Sequence, residues 1–170
     1  MAVGNLEFIK SVNGTSVSSL EVTYCFSDDY DVYYISITDF ANSSAQNLRA
    51  RFIDSTNSVI TGAEYQYANY LLRSYGAFSE SSVTSSTNLG EFCYDKDDLG
   101  TGLSLYIYNP YNSSTYTFTQ VVTSNIALPS GQVGRNGMAV HKSAEQITGI
   151  QFYPNADTIN NLTVNVFGVK

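Results

Sequence analysis

The chain has 170 residues and a net charge of −7, and only 14% of its residues are charged, against ~25% in an average globular domain. Its eight Lys and Arg are scattered, so no basic patch stands ready to neutralise a phosphate backbone. Nucleic acid is therefore not an expected partner, nor is an anionic membrane, which would repel such a chain. Tyr, Ser, Thr and Asn fill the surface role instead, and 14 Tyr and 9 Phe without any Trp suit subunit packing or adhesion. Sheets also favour Tyr and Thr on their own account.

One domain, residues 1–170, is expected at this length, burying roughly 70% of the surface its unfolded chain exposes. The opening Met1-Ala2-Val3-Gly4-Asn5 has no charged n-region before an apolar core, so no secretory leader is expected. No apolar run approaches the ~20 residues of a spanning helix. A strand is predicted at Leu6–Ile9. Asn13-Gly14 has the signature of a type I′ hairpin turn. A second strand is predicted at Ser19–Tyr24. An acidic turn with Asp28, Asp29 and Asp31 then launches a strand in which Tyr33, Ile35 and Ile37 alternate with Tyr34, Ser36 and Thr38.

After a turn at Asn42-Ser43-Ser44, Leu48, Ala50 and Phe52 alternate with Arg49 and Arg51. The segment Ala63–Tyr75 fits both periods, and its aromatic content favours a strand. The Ser/Thr run Glu80–Thr87 reads as a loop. Strands are predicted at Asn88–Tyr94, at Leu103–Ile107 and over Thr115–Thr123, with turns at Asp98-Leu99-Gly100 and Asn109-Pro110. Leu128–Arg135 reads as a second loop and Asn136-Gly137 as another turn. Met138–Lys142, Ile147–Tyr153 and Leu162–Val166 complete the series. About 8–11 short strands with such punctuation predict an all-β antiparallel sandwich or barrel.

Chemistry-bearing residues are sparse. His141, the single histidine, lies in a predicted strand without a Gly-x-Ser-x-Gly elbow, and a structural or interface role is expected of it. Glu64, Glu80, Glu91 and Glu145 have the residue type of glycosidase acids, but sequence places no two of them at the required separation. No catalytic residues are assigned and no enzyme is expected. Two aspartate clusters have the residue type for calcium: Asp28, Asp29, Asp31, and Asp95, Asp97, Asp98. The second lacks the EF-hand's fifth-position acid, where Leu99 stands, and has Tyr106 where the bidentate Glu belongs. Asp-rich turns also form by bonding their own backbone amides. Tyr65, Tyr67, Tyr70 and Tyr75, or Tyr106, Tyr108 and Tyr111, could stack on sugar rings or pair within sheets. Cys25 and Cys93 are expected as buried thiols, with a disulfide only if their segments are neighbours. The Asn-x-Ser/Thr sequons at Asn13, Asn42, Asn112 and Asn161 carry no meaning without a leader.

Three segments carry a likeness to known proteins: Ser19–Ile37; Leu48–Asp54 with Tyr65–Tyr70; and Gly137–Pro154 with Asn165–Lys170. In this order they resemble the small β-rich virion proteins of tailed phages of marine bacteria, cyanophages especially, and related modules at tail-fibre tips. The resemblance implies a jelly-roll-like sandwich, made in the host cytoplasm and assembled into a virion. Other virion proteins are the implied partners, with self-association around a three-fold. No shaft precedes the domain, so a capsid decoration or knob-like protein is expected ahead of a tail-associated module for a host receptor or surface glycan.

Overall fold

The computed structural model describes residues 5–95, 101–127 and 131–170, and among these there are twelve strands and no helix. They are β1 (Leu6–Val17), β2 (Leu20–Val22), β3 (Val32–Asn42), β4 (Gln46–Asp54), β5 (Tyr65–Arg73), β6 (Ser79–Ser86), β7 (Glu91–Asp95), β8 (Gly102–Tyr108), β9 (Thr117–Ala127), β10 (Gly131–His141), β11 (Ile147–Pro154) and β12 (Ile159–Val169). Eight strands form one sheet in the order β1-β12-β3-β8-β9-β10-β5-β6; four form another, β2-β11-β4-β7. Every pairing is antiparallel.

Without β5–β6 and β9–β10, two sheets of four remain, β1-β12-β3-β8 and β2-β11-β4-β7. Successive strands then alternate between the sheets except at β4 and β7, which pair with each other in the small one, and the last strands return beside the first, which is jelly-roll topology. The two hairpins are insertions, and both extend the larger sheet past β8.

The core lies where the period-two pattern places it. Tyr33, Ile35, Ile37, Leu105, Val164 and Val166 point inward from the large sheet, against Val22, Leu48, Phe52, Ile150 and Phe152 from the small one. Tyr33 is fully buried, so its hydroxyl needs partners inside. It accepts from the Ser27 backbone N–H at 2.7 Å and donates to the Ser27 carbonyl at 2.9 Å. The acidic turn is thereby fastened onto the start of β3. Cys25 and Cys93 are both buried, and no disulfide joins them.

Several expectations are corrected. The predicted loop Glu80–Thr87 is mostly strand β6, which brings the strands among the described residues to twelve. Asn13-Gly14 is no hairpin turn; it lies within β1, opposite Thr163 and Leu162. A Cβ on Gly14 would meet Val17 Cγ2 at 3.0 Å and Leu20 Cδ1 at 3.2 Å, so the glycine serves close packing. Asn136-Gly137 is likewise inside β10, paired on both sides. In the predicted loop Leu128–Arg135, residues 131–135 begin β10, and Leu128, Pro129 and Ser130 lie outside the described residues. Asn42-Ser43-Ser44 and Asn109-Pro110 do connect strands, Asn109 at φ 55°.

Candidate functional site

The calcium candidates fare unevenly. Asp28, Asp29 and Asp31 are exposed around the turn before β3. The Asp29 carboxylate accepts from the Ser27 hydroxyl at 2.8 Å, and its backbone N–H donates back to that oxygen at 3.3 Å. This is local turn bonding. Asp97 and Asp98 lie outside the described residues, and Asp95 is described only as backbone of β7, opposite Gln46. Among the described residues, the metal-ligating side chains gathered three together are Glu64, His141 and Glu145, their ligand atoms all within 4.8 Å. Those residues were legible singly in the sequence; their convergence follows from the pairing of β10 with β5, which sequence did not disclose.

A groove of about 200 Å³ runs between the sheets near β7. Asn47 and Tyr94 line it from the small sheet, and Leu71, Arg73, Asn125 and Arg135 from the large one, together with Tyr75. Arg135 is committed: its guanidinium donates to the Glu91 carbonyl at 2.8 Å, to the Glu91 carboxylate at 3.2 Å and to Asn47 Oδ1 at 3.3 Å. Arg49 also holds Glu91, at 2.8 Å. Burial pushes the Glu91 carboxyl up, but the two guanidinium groups outweigh it and hold the group below the usual carboxylate range. The groove thus keeps one guanidinium, Arg73, whose partner is the Ala77 carbonyl, and two half-exposed tyrosines, Tyr75 and Tyr94.

The most extensive feature is the outer face of the large sheet. Strand register sets Phe8, Phe167, Tyr34 and Tyr106 side by side across β1, β12, β3 and β8. Their ring centroids follow at 5.7, 6.0 and 5.1 Å. Gln120, Met138 and Ala68 extend the same row across β9, β10 and β5. The neighbouring row runs Val169, Val32, Tyr108, Phe118, Val140. On the other side lie Asn165, Ser36, Ser104, Val122, Asn136 and Tyr70.

Across the seven adjacent strands from β1 to β5, no Asp, Glu, Lys or Arg occupies these outward rows; the first charge is Glu80, at the β6 edge. Met138 is 67% exposed and Phe8 60%, and nothing among the described residues covers the face. Seven strands spaced ~4.8 Å, with three outward rows over ~6 residues of strand, give a footprint of ~29 by ~20 Å. Uncovered apolar side chains usually stand among charges that keep the surface wetted; depletion of charge with enrichment of Tyr, Phe and Met is the composition of an interface centre.

No protein-family model matches the chain, and no curated protein matches it. Solved structures similar to it include an exo-inulinase from Aspergillus awamori, at 9% identity and TM-score 0.48, covering 96% of this chain and 29% of that one. The CspB protease of Clostridium perfringens is similar over 94% of this chain and 25% of its own, at 10% identity and TM-score 0.38. A marine PL-14 alginate lyase from Aplysia kurodai matches over 85% of this chain and 71% of its own, at 11% identity and TM-score 0.34. The chain therefore spans under a third of the first two, and likeness at this level carries no functional argument.

Proposed function

We propose that this protein is a non-enzymatic structural component of a phage virion, a capsid decoration or knob-like protein that assembles by surface complementarity. The observation that carries the assembly reading is the charge-free, aromatic outer face of the large sheet. Its footprint, ~580 Å² from the strand spacing, is a large part of the ~800 Å² each partner contributes to a standard interface. The virion setting rests on the resemblance of Ser19–Ile37, Leu48–Asp54 and Gly137–Pro154 to marine-phage virion proteins. Copies of this chain, in a trimer, and neighbouring shell proteins are the partners. Light scattering of the purified protein, with co-sedimentation on emptied capsids, tests the proposal. Self-association and capsid binding are expected; a strictly monomeric protein that leaves capsids bare overturns it.

A second reading, a tail-associated module recognising a host receptor or surface glycan, draws support from the groove with Arg73, Tyr75 and Tyr94. Two tyrosines lining one groove suit stacking on a sugar ring, and about 200 Å³ is room for roughly one residue of a glycan. Binding to isolated host lipopolysaccharide that Tyr75→Ala and Tyr94→Ala weaken would favour this reading over the first.

A further inference from the structure

We propose that Glu64, His141 and Glu145 form a binding site for a divalent transition metal, with zinc the best match. His141 ends β10, Glu64 directly precedes β5, and Glu145 lies in the loop leading to β11. The donors are one imidazole nitrogen and two carboxylate oxygens, a set that suits zinc and its neighbours better than calcium, which takes six to eight oxygens. His141 Nε2 stands 3.2 Å from Glu64 Oε2 and 3.5 Å from Glu145 Oε1. Two donors bound at ~2.0–2.1 Å to a tetrahedral ion stand ~3.3 Å apart. Both histidine–carboxylate spacings therefore match donors around one ion, and all three ligand atoms lie within 4.8 Å of one another.

Proton bookkeeping points the same way. Nε2 carries at most one proton, yet two carboxylates converge on it, and one N–H serves a single acceptor well. A cation ligated by all three groups satisfies both carboxylates and keeps a fourth position for water. Glu64 and Glu145 are 48% and 35% exposed, so that position opens to solvent, while the His141 side chain is fully buried.

The apex is held rigidly. The imidazole packs against Tyr65 at 5.0 Å and Phe52 at 6.1 Å between ring centroids. The Lys142 backbone N–H donates to the Glu64 carbonyl at 2.9 Å, tying two ligand-bearing segments together. An independent observation concerns the other ring nitrogen. His141 Nδ1 is buried without a partner, and so is Oγ1 of Thr117, the residue directly opposite on β9. A ligating histidine places its proton on the nitrogen away from the metal and needs an acceptor there. The two atoms make no hydrogen bond in the metal-free form, and the Thr117 hydroxyl on the facing residue is the acceptor proposed for that proton once the ion is bound.

The test uses untagged full-length protein, ZnCl₂ and calorimetric titration, with thermal unfolding as a second readout. Zn²⁺ is expected to bind one-to-one and to raise Tm in a way EDTA reverses, and excess Ca²⁺ should not compete. Glu64→Gln and Glu145→Gln, at an exposed and a half-buried carboxylate, should each weaken binding at least ~10-fold while leaving the apo fold intact. Absence of Zn²⁺ binding at 100-fold excess over protein, or binding that both variants leave unchanged, overturns the site. This result is independent of self-association, so the assembly proposal stands or falls separately.

Discussion

Tyr34 and Tyr106 face each other across β3 and β8, ring centroids 5.1 Å apart, on a sheet face that nothing in the described chain covers. A cross-strand aromatic pair in the open contributes little to folding, typically ~0.5–1 kcal/mol. A double-mutant cycle of Tyr34→Ala and Tyr106→Ala, followed by urea unfolding at low protein concentration, should give a coupling of about that size. A loss of several kcal/mol from either single change would mean that these rings are core residues.

Gly137 lies opposite Asn69, and a Cβ there would sit 2.0 Å from Asn69 Oδ1 and 2.8 Å from the Ala68 carbonyl oxygen. Gly137→Ala should destabilise by ~1–3 kcal/mol. Adding Asn69→Ala removes the side-chain clash but not the backbone one, so it should restore part of the loss. Additive costs in the double variant would refute this account of the glycine.

Glu91 titrates below the usual carboxylate range because Arg49 and Arg135 outweigh its burial. Its contribution is therefore complete above the unfolded value of ~4.3 and is lost as pH falls through the lower folded value. Chemical denaturation between about pH 5 and pH 3 should show a shallower acid decline in Glu91→Gln than in the parent. Equal slopes would show that the pair of guanidinium groups does not act on Glu91.

Burial pushes the Cys25 thiol up to about 12, outweighing the opposing charge of Lys10. The thiolate is the reactive form, so native Cys25 should be inert near neutral pH. Cys93 is equally buried. Thiol titration with a disulfide reagent should find no rapid reaction in the native protein and both cysteines after unfolding. Fast modification of the native form would contradict the burial.

Where one face of a strand meets the core, alternation in the sequence was enough to find it, as with Leu48, Ala50 and Phe52 or Leu162, Val164 and Val166. It failed at β6, whose Ser79-Glu80-Ser81-Ser82-Val83-Thr84 has little apolar side to show because this edge strand is mostly exposed on both faces. It also failed at Asn13-Gly14 and Asn136-Gly137. Local chemistry there favours turns, but the glycines are needed where Leu20 or Asn69 crosses the strand. The outer face was partly legible: Tyr34, Ser36, Thr38, Thr163, Asn165 and Phe167 are all uncharged in the alternating pattern. That their strands lie next to each other is set by the jelly-roll order, which no local pattern encodes. Glu64, His141 and Glu145 were hidden for the same reason, although the four-residue spacing of His141 and Glu145 was in view.

The central claim is that the charge-free outer face is an assembly surface, and sedimentation velocity of the parent beside a Tyr106→Lys, Met138→Glu double variant tests it most directly. Both substitutions place charge on exposed outward positions, so circular dichroism should be unchanged. The parent should sediment as a discrete oligomer at micromolar concentration and the variant as a monomer. A monomeric parent, or a variant that assembles as the parent does, would contradict the claim.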